Sequence, residues 1–260
     1  MANGQVYQNV YELYDELVSA DDAYHQTHRK RLGRTISVLL DEQPTQGKLL
    51  EIGTGSVVPL ILKELVPKLQ VHVTDYDLSK AEKGRMTMKN GERSVSCPVY
   101  RVDLESTSLP VEDETFDYVL CSEVIEHMEK DPMFMMSEIN RVLKPGGTLI
   151  LTTPNVVSTH GINAMLENKE PYFYMHYRHA GTLDRHNYEY SLWSISQVLR
   201  ASGFRGKGWT EDTFGVSELS NVMRLRAAGY PLEHVGDNIF CVSKKEGPVV
   251  DRHPSVIYVD

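Results

Sequence analysis

The chain has 260 residues, 41% apolar and 24% charged, the balance of a globular protein long enough to bury a sizeable core. Its net charge of -9 argues against a nucleic-acid backbone as the main partner, and no apolar run approaches the ~18 residues that suggest a membrane span. The opening MANGQVYQNV lacks a signal peptide's charged and apolar regions, and Cys97, Cys121 and Cys241 form no metal or disulfide pattern, so a cytoplasmic location is expected.

Val6, Val10, Leu13 and Leu17 recur at helical spacing, and Ile36, Leu39 and Leu40 line a second helix before Pro44. Residues 1–46 therefore read as a helical extension. Between its helices, Tyr24 to Arg31 (YHQTHRKR) reads either as a solvated basic face or as a lid over a ligand site. The stretch Lys48 to Val57, KLLEIGTGSV, then gives a buried strand, a glycine turn and a helix start. Such a turn brings a ligand to the carboxyl end of a strand and the N-terminus of a helix, where α/β sheets bind nucleotides. The dinucleotide fingerprint wants a third Gly or Ala where this chain has Val58, which disfavours a nicotinamide enzyme. Glu51 before the turn suits a cationic or amine-bearing ligand better than a pyrophosphate.

Val71 to Asp77 reads as a second strand ending in acids, followed by a helix from Leu78 to Met88 that stops near Asn90-Gly91. A carboxylate at that strand end can accept from both ribose hydroxyls, with Asp77 favoured over Asp75 and a helix cap as the competing role. Val99 to Leu104 is a third strand, Tyr118 to Cys121 a fourth and Thr148 to Thr152 a fifth. A helix striped by Met136, Ile139 and Leu143 precedes the last of these. Strands alternating with helices imply a parallel, doubly wound sheet with right-handed crossovers.

EIGTG, then VDL, LPVEDETFDYV, SEVIEH and EINRVLKPGGTLILTTPN, in this order between residues 48 and 155, resemble the motif series of class I S-adenosylmethionine-dependent methyltransferases. The resemblance implies a Rossmann-like, seven-stranded, mostly parallel α/β sheet over residues 47–246, with the last hairpin strand antiparallel, an insertion at 156–190 and a tail at 247–260. It implies S-adenosyl-L-methionine as cofactor, with Glu51, Gly53 and Gly55 at its methionine portion and Asp77 on the ribose. Asp103 and Leu104 would then meet the adenine, and Ser122-Glu123 would pass beneath the sulfonium. Ser56-Val57 stands where the family often has Gly.

After Asn155 the pattern loosens. Residues 172–179 (YFYMHYRH) and 184–190 (DRHNYEY) are dense in aromatics, His and Arg, and in the resembled family this region commonly walls the acceptor pocket. They read either as a polar aromatic wall for a sugar or other hydroxylated small molecule, or as an insertion packed on the sheet. The histidines are irregularly spaced, without paired Cys or His-Glu-x-x-His, so no metal is expected. Leu192 to Ser202 is a helix ended by Gly203, and Asn238 to Lys244 a final strand. The tail VVDRHPSVIY is similar to methyltransferases of bacterial glycan synthesis.

A hydroxyl nucleophile needs a base, and the candidates are His186 first and His127 second. The expected function is O-methylation of a small hydroxylated acceptor, such as a sugar or glycan precursor. The competing readings are an N-methyltransferase on a small amine or nucleotide, and a non-catalytic module that binds the cofactor.

Overall fold

A computed structural model describes residues 2–19, 21–54, 57–90, 92–175, 185–215 and 219–259. The elements run α1 (Ala2–Leu17), α2 (Ala23–Asp41), β1 (Gly47–Ile52), α3 (Val57–Leu65), β2 (Leu69–Asp75), β3 (Lys83–Asn90), β4 (Arg93–Arg101) and β5 (Phe116–Ser122). They continue through α4 (Pro132–Val142), β6 (Leu143–Pro154), α5 (Thr159–Leu166), α6 (Leu192–Ala201), β7 (Phe204–Glu211), α7 (Leu219–Ala227) and β8 (Asn238–Lys245). No described helix is long and apolar enough to cross a membrane.

The strands form one sheet in the order β3-β4-β2-β1-β5-β6-β8-β7. From β4 to β6 the neighbours are parallel, while β8 runs antiparallel to β6 and β7. Alternation along each strand feeds two cores. Leu49 on β1 packs with Tyr14, Ile36 and Ile61 of α1, α2 and α3, whereas Leu50 and Ile52 pack with Met136, Ile139 and Ile195 of α4 and α6. The arrangement is the expected Rossmann-like one, with the N-terminal helices covering one face of the sheet.

One element differs. The helix expected from Leu78 to Met88 is absent, and Lys83–Asn90 is an eighth strand, antiparallel to β4. Gly84 disfavours a helix interior, while Met86 and Met88, two apart, turn to the same face opposite Cys97 and Val95. The pairing closes with Asn90 opposite Arg93, so Asn90 ends a hairpin strand rather than a helix; Gly91 lies outside the described residues. The charged partners Lys83, Arg85 and Lys89 line this outer edge, where they discourage further strand pairing.

The C-terminal tail is a clasp for α4. Asp131 caps that helix by accepting from Phe134 N–H at 3.1 Å, and Arg252 and the Tyr258 hydroxyl both engage its carboxylate. Burial pulls the Asp131 acid up, yet Arg252, Tyr258 and the helix-end N–H together hold it down at about 2.

Two outcomes test this fold. Met88→Ala should lose about 2 kcal/mol of stability in chemical denaturation, while Lys89→Ala stays within about 0.5 kcal/mol, the alternation expected of a strand. His72 on β2 donates to or accepts from the Tyr100 hydroxyl at 2.8 Å, and burial, aided by Lys48 and Arg85, pushes its pKa down to about 4. Unfolded chains take up the proton first, near 6.5, so this histidine's contribution is present above that pH and is lost as pH falls toward 4. Over that window the wild type should therefore lose stability more steeply than His72→Gln.

Candidate active site

A cleft of about 630 Å³ opens at the carboxyl ends of β1, β2 and β5, with Gly53, Thr54, Asp75, Asp103, Glu123 and His127 in its wall. Its size is that of a cofactor or small-ligand site. Where β1 ends, Gly53 turns the chain at φ +68°. A Cβ there would come within 2.8 Å of Val124 Cγ2, so both conformation and space require glycine. Gly53 N–H donates to Thr74 Oγ1 at 2.8 Å. Glu51 is buried and accepts from the Thr54 hydroxyl at 3.0 Å; Thr54, rather than Glu51, forms the wall. Gly55 and Ser56 lie outside the described residues.

At the end of β2 the structure reverses the order of the two acids. Asp75 lines the cleft, with its Oδ2 3.3 Å from Arg101 Nε. Asp77 is absent from that wall. Its carboxylate pairs with Lys80 at 2.6 Å and accepts from the Ser79 N–H and hydroxyl. Those partners, Lys80 foremost and then Ser79, hold it down at about 2. With no helix following β2, Asp77 serves a turn and Asp75 takes the cleft position. Asp103 and Leu104 line the opposite side; Asp103 also accepts from Glu105 N–H at 3.0 Å and the Ser106 hydroxyl at 2.8 Å.

Glu123 follows β5 at φ +54°, an uncommon conformation for a residue with a side chain. Its N–H donates to Thr152 O at 2.9 Å, and its Oε1 accepts from the Thr152 hydroxyl at 2.7 Å and from Asn238 Nδ2 at 3.2 Å. Ser122 reaches the same threonine, Oγ to Oγ1 at 2.9 Å, but does not line the cleft. Behind Glu123 stands Arg31 of α2, buried, with Nε 3.9 Å from Oε2. His28 of the same helix packs edge-on against Phe214, and burial together with Arg31 pushes its pKa down to about 4. The Tyr24 to Arg31 stretch thus divides: His28 and Arg31 turn inward, while Arg29 pairs with Asp15 and Lys30 donates to the Asp212 carbonyl.

His127 and His186, 59 positions apart, meet with ring centroids 5.0 Å apart. Backbone pairing brings them together. Glu126 O accepts from Asn187 N–H at 2.7 Å and Tyr188 N–H at 3.2 Å, and Asn187 Nδ2 donates to His127 O at 2.9 Å. His127 Nδ1 lies 3.0 Å from Arg185 O, and His186 Nδ1 lies 2.7 Å from Glu189 Oε1. Glu189 is buried and also accepts from Phe173 and Tyr174 N–H. Glu126 is fully buried, with Oε2 taking the Thr153 hydroxyl at 2.9 Å and Oε1 without a hydrogen-bond partner among the described residues. Burial and the Glu123 charge push its acid well up. Sequence reasoning did not count Glu126 and Glu189 among the site residues: one adjoins His127 and the other lies three positions from His186, but only burial and hydrogen bonding reveal the contacts they make. It also expected no metal, whereas folding gathers Glu126, His127 and His186 with ligand atoms all within 4.8 Å of one another. Residues 176–184, with part of the expected aromatic wall, lie outside the described residues.

An open α/β sheet with a glycine turn after β1 and an acid at the end of β2 is the arrangement of a nucleotide-type ligand site at the sheet's carboxyl edge. Residues 50–151 match the family model described as "Methyltransferase domain". Among curated relatives, the ubiquinone biosynthesis O-methyltransferase of Hahella chejuensis is 32% identical over 108 residues, covering 42% of this chain and 43% of the relative. The demethylmenaquinone methyltransferase of Staphylococcus aureus is 29% identical over 149 residues, 56% of this chain and 57% of the relative. The chain thus spans about half the length of the curated relatives it matches. A crystal structure of an S-adenosylmethionine-dependent methyltransferase from Archaeoglobus fulgidus shares the fold with a TM-score of 0.53 at 17% identity, over 87% of this chain and all (100%) of that one. Phosphoethanolamine N-methyltransferase 2 of Haemonchus contortus, solved with S-adenosyl-L-methionine, does so with a TM-score of 0.51 at 18% identity, over 82% of this chain and 52% of that one. The chain carries a class I S-adenosylmethionine-dependent methyltransferase domain.

The different placement of the two acids is directly testable. In calorimetric titration with S-adenosylmethionine, Asp75→Asn should weaken binding by about tenfold or more, the loss of a hydrogen-bonding carboxylate, while Asp77→Asn remains within about threefold.

Proposed function

We propose that this protein transfers the methyl group of S-adenosylmethionine to a hydroxyl of a small acceptor. The cleft at the carboxyl edge of the sheet carries this reading. Its wall combines Asp75, Asp103, Glu105, Glu123 and Glu129, a concentration of carboxylates suited to a ligand bearing a sulfonium and an ammonium. Asp75 takes the ribose, Asp103 and Leu104 the adenine, and the turn at Gly53-Thr54, backed by Glu51, the methionine portion. Glu123 stands nearest the sulfonium, held in place through Ser122, Thr152 and Asn238.

Transfer is an in-line displacement, so the protein's contribution is positioning and exclusion of water. An acceptor hydroxyl must also lose its proton, and His127 and His186 stand together beside the cleft for that task. The name of the Hahella chejuensis relative, an O-methyltransferase of ubiquinone biosynthesis, supports oxygen as the methylated atom. The polar aromatic stretch around Tyr172 and Tyr174 suits a ring-shaped hydroxylated acceptor, sugar or phenol.

The test is formation of S-adenosylhomocysteine with a panel of sugars, sugar nucleotides and phenols. Turnover with a hydroxylated acceptor, reduced at least tenfold in His186→Ala and in His127→Ala, is the expected outcome, matching the lower range for a lost acid-base group. Tight S-adenosylmethionine binding with no turnover on any acceptor would instead indicate a binding module. Turnover only on amines would move the chemistry to nitrogen.

A further inference from the structure

The cluster of Glu126, His127 and His186, which touches the cleft through His127, is built like a metal site. A carbonyl oxygen only accepts, so His127 Nδ1, 3.0 Å from Arg185 O, carries the proton and the lone pair lies on Nε2. The same tautomer is set at His186, whose Nδ1 meets the buried Glu189 carboxylate at 2.7 Å. Metal-binding histidines are characteristically anchored in this way, one ring nitrogen on a carbonyl or carboxylate and the other on the ion. The third member, Glu126, is wholly buried, yet among the described residues its Oε1 has no hydrogen-bond donor, and it stands 4.0 Å from His127 Nε2. A buried carboxylate oxygen without a donor is costly to maintain. A cation between it and the two imidazoles satisfies it.

We propose that Glu126, His127 and His186 bind a divalent first-row transition-metal ion. Two imidazoles and one carboxylate suit zinc, manganese or iron, and are too nitrogen-rich for calcium or magnesium. Donors on a tetrahedral ion at about 2.1 Å stand about 3.4 Å apart, so the present spread of up to 4.8 Å closes by small side-chain rotations. Glu123 adds negative potential to the site, partly offset by Arg31. Three protein ligands leave further coordination positions, and His127 lines the cleft, so these positions face the space where an acceptor would lie.

The role of the ion, though not its binding, rests on the methyl-transfer reading. An acceptor hydroxyl bound to it has a lowered pKa and releases its proton to water. The oxygen lone pair then forms the O–CH3 bond as the S–CH3 bond breaks, and S-adenosylhomocysteine leaves. The histidines act as ligands in that reaction, and the alternative without an ion uses one of them as the base.

The test is titration of the chelator-stripped protein with Zn2+ by calorimetry and with Co2+ by its visible d–d absorption, with neither cofactor nor acceptor present. One ion per chain should bind with micromolar or tighter affinity, with a Co2+ spectrum showing nitrogen coordination. His186→Asn and His127→Asn should abolish that spectrum, and Glu189→Gln should weaken binding about tenfold, as expected for a group that only orients a ligand. Circular dichroism confirms folding, and His186→Asn, at a partly exposed position, decides the matter if Glu126→Gln does not fold. Absence of stoichiometric binding, or binding unchanged in both histidine variants, overturns the proposal. Metal binding without S-adenosylmethionine binding overturns the methyl-transfer reading alone, and the converse result overturns the metal site alone.

Discussion

The site depends on one backbone contact: the Glu126 carbonyl receiving the N–H groups of Asn187 and Tyr188. It ties the loop after β5 to a segment some sixty residues further along the chain. The Asn155–Tyr190 bridge and the Val156 N–H to Tyr190 carbonyl bond continue the attachment toward the end of β6. Without this pairing, His186 would have no fixed relation to His127, and Glu189 would orient nothing beside the cleft. A handful of main-chain hydrogen bonds, sheltered beside a packed sheet, therefore converts a loop into a wall. Each is individually modest, but they act on groups whose unsatisfied burial would be costly, which is why the arrangement is specific.

Electrostatics complete what the backbone begins. The acids around the cleft do not behave alike. Asp77 and Asp131 are held low by donors and cations, and both serve local structure, one at a turn and the other at a helix cap and tail clasp. Glu126 is pushed the other way by burial and by Glu123. Carboxylates already satisfied by their own turns are structural, whereas one buried with an oxygen that has no donor among the described residues marks a place built for something else. By the same reasoning Glu123, fixed in a left-handed conformation and braced by Thr152, Asn238 and Arg31, is more constrained than a surface acid would need to be.

The sheet and the turn after β1 were legible in the sequence because their signals are local. Apolar runs such as Leu49 to Ile52 and glycines where the chain must bend each act within a few residues. The failure at Lys83–Asn90 has a local cause as well. Period-two placement of Met86 and Met88 competed with helix-compatible residues around Ser79, and the Asn90-Gly91 pair fits a helix stop as readily as a hairpin. The same difference bears on which acid faces the cleft, since a helix beginning at Leu78 would have put Asp77 at the strand end. Once β2 ends at Asp75 and a loop follows, Asp75 lines the cleft and Asp77 serves the turn.

The histidine pair was legible only as two separate candidates. Their residue types suggested chemistry, but no spacing rule relates position 127 to position 186, because the relation is made by tertiary pairing rather than by a helix or strand period. The decisive partners, Glu126 and Glu189, are ordinary glutamates in sequence and become informative only through burial and hydrogen bonding. The same geometry also changes the meaning of the candidates. A lone histidine beside a cleft reads as a base, whereas two histidines with their Nδ1 atoms tied back, beside a buried carboxylate with one oxygen left without a donor among the described residues, read as ligands. A catalytic histidine and a metal-binding one are thus separated by the company they keep, and in this chain that company assembles only when the loop after β5 meets the segment before α6.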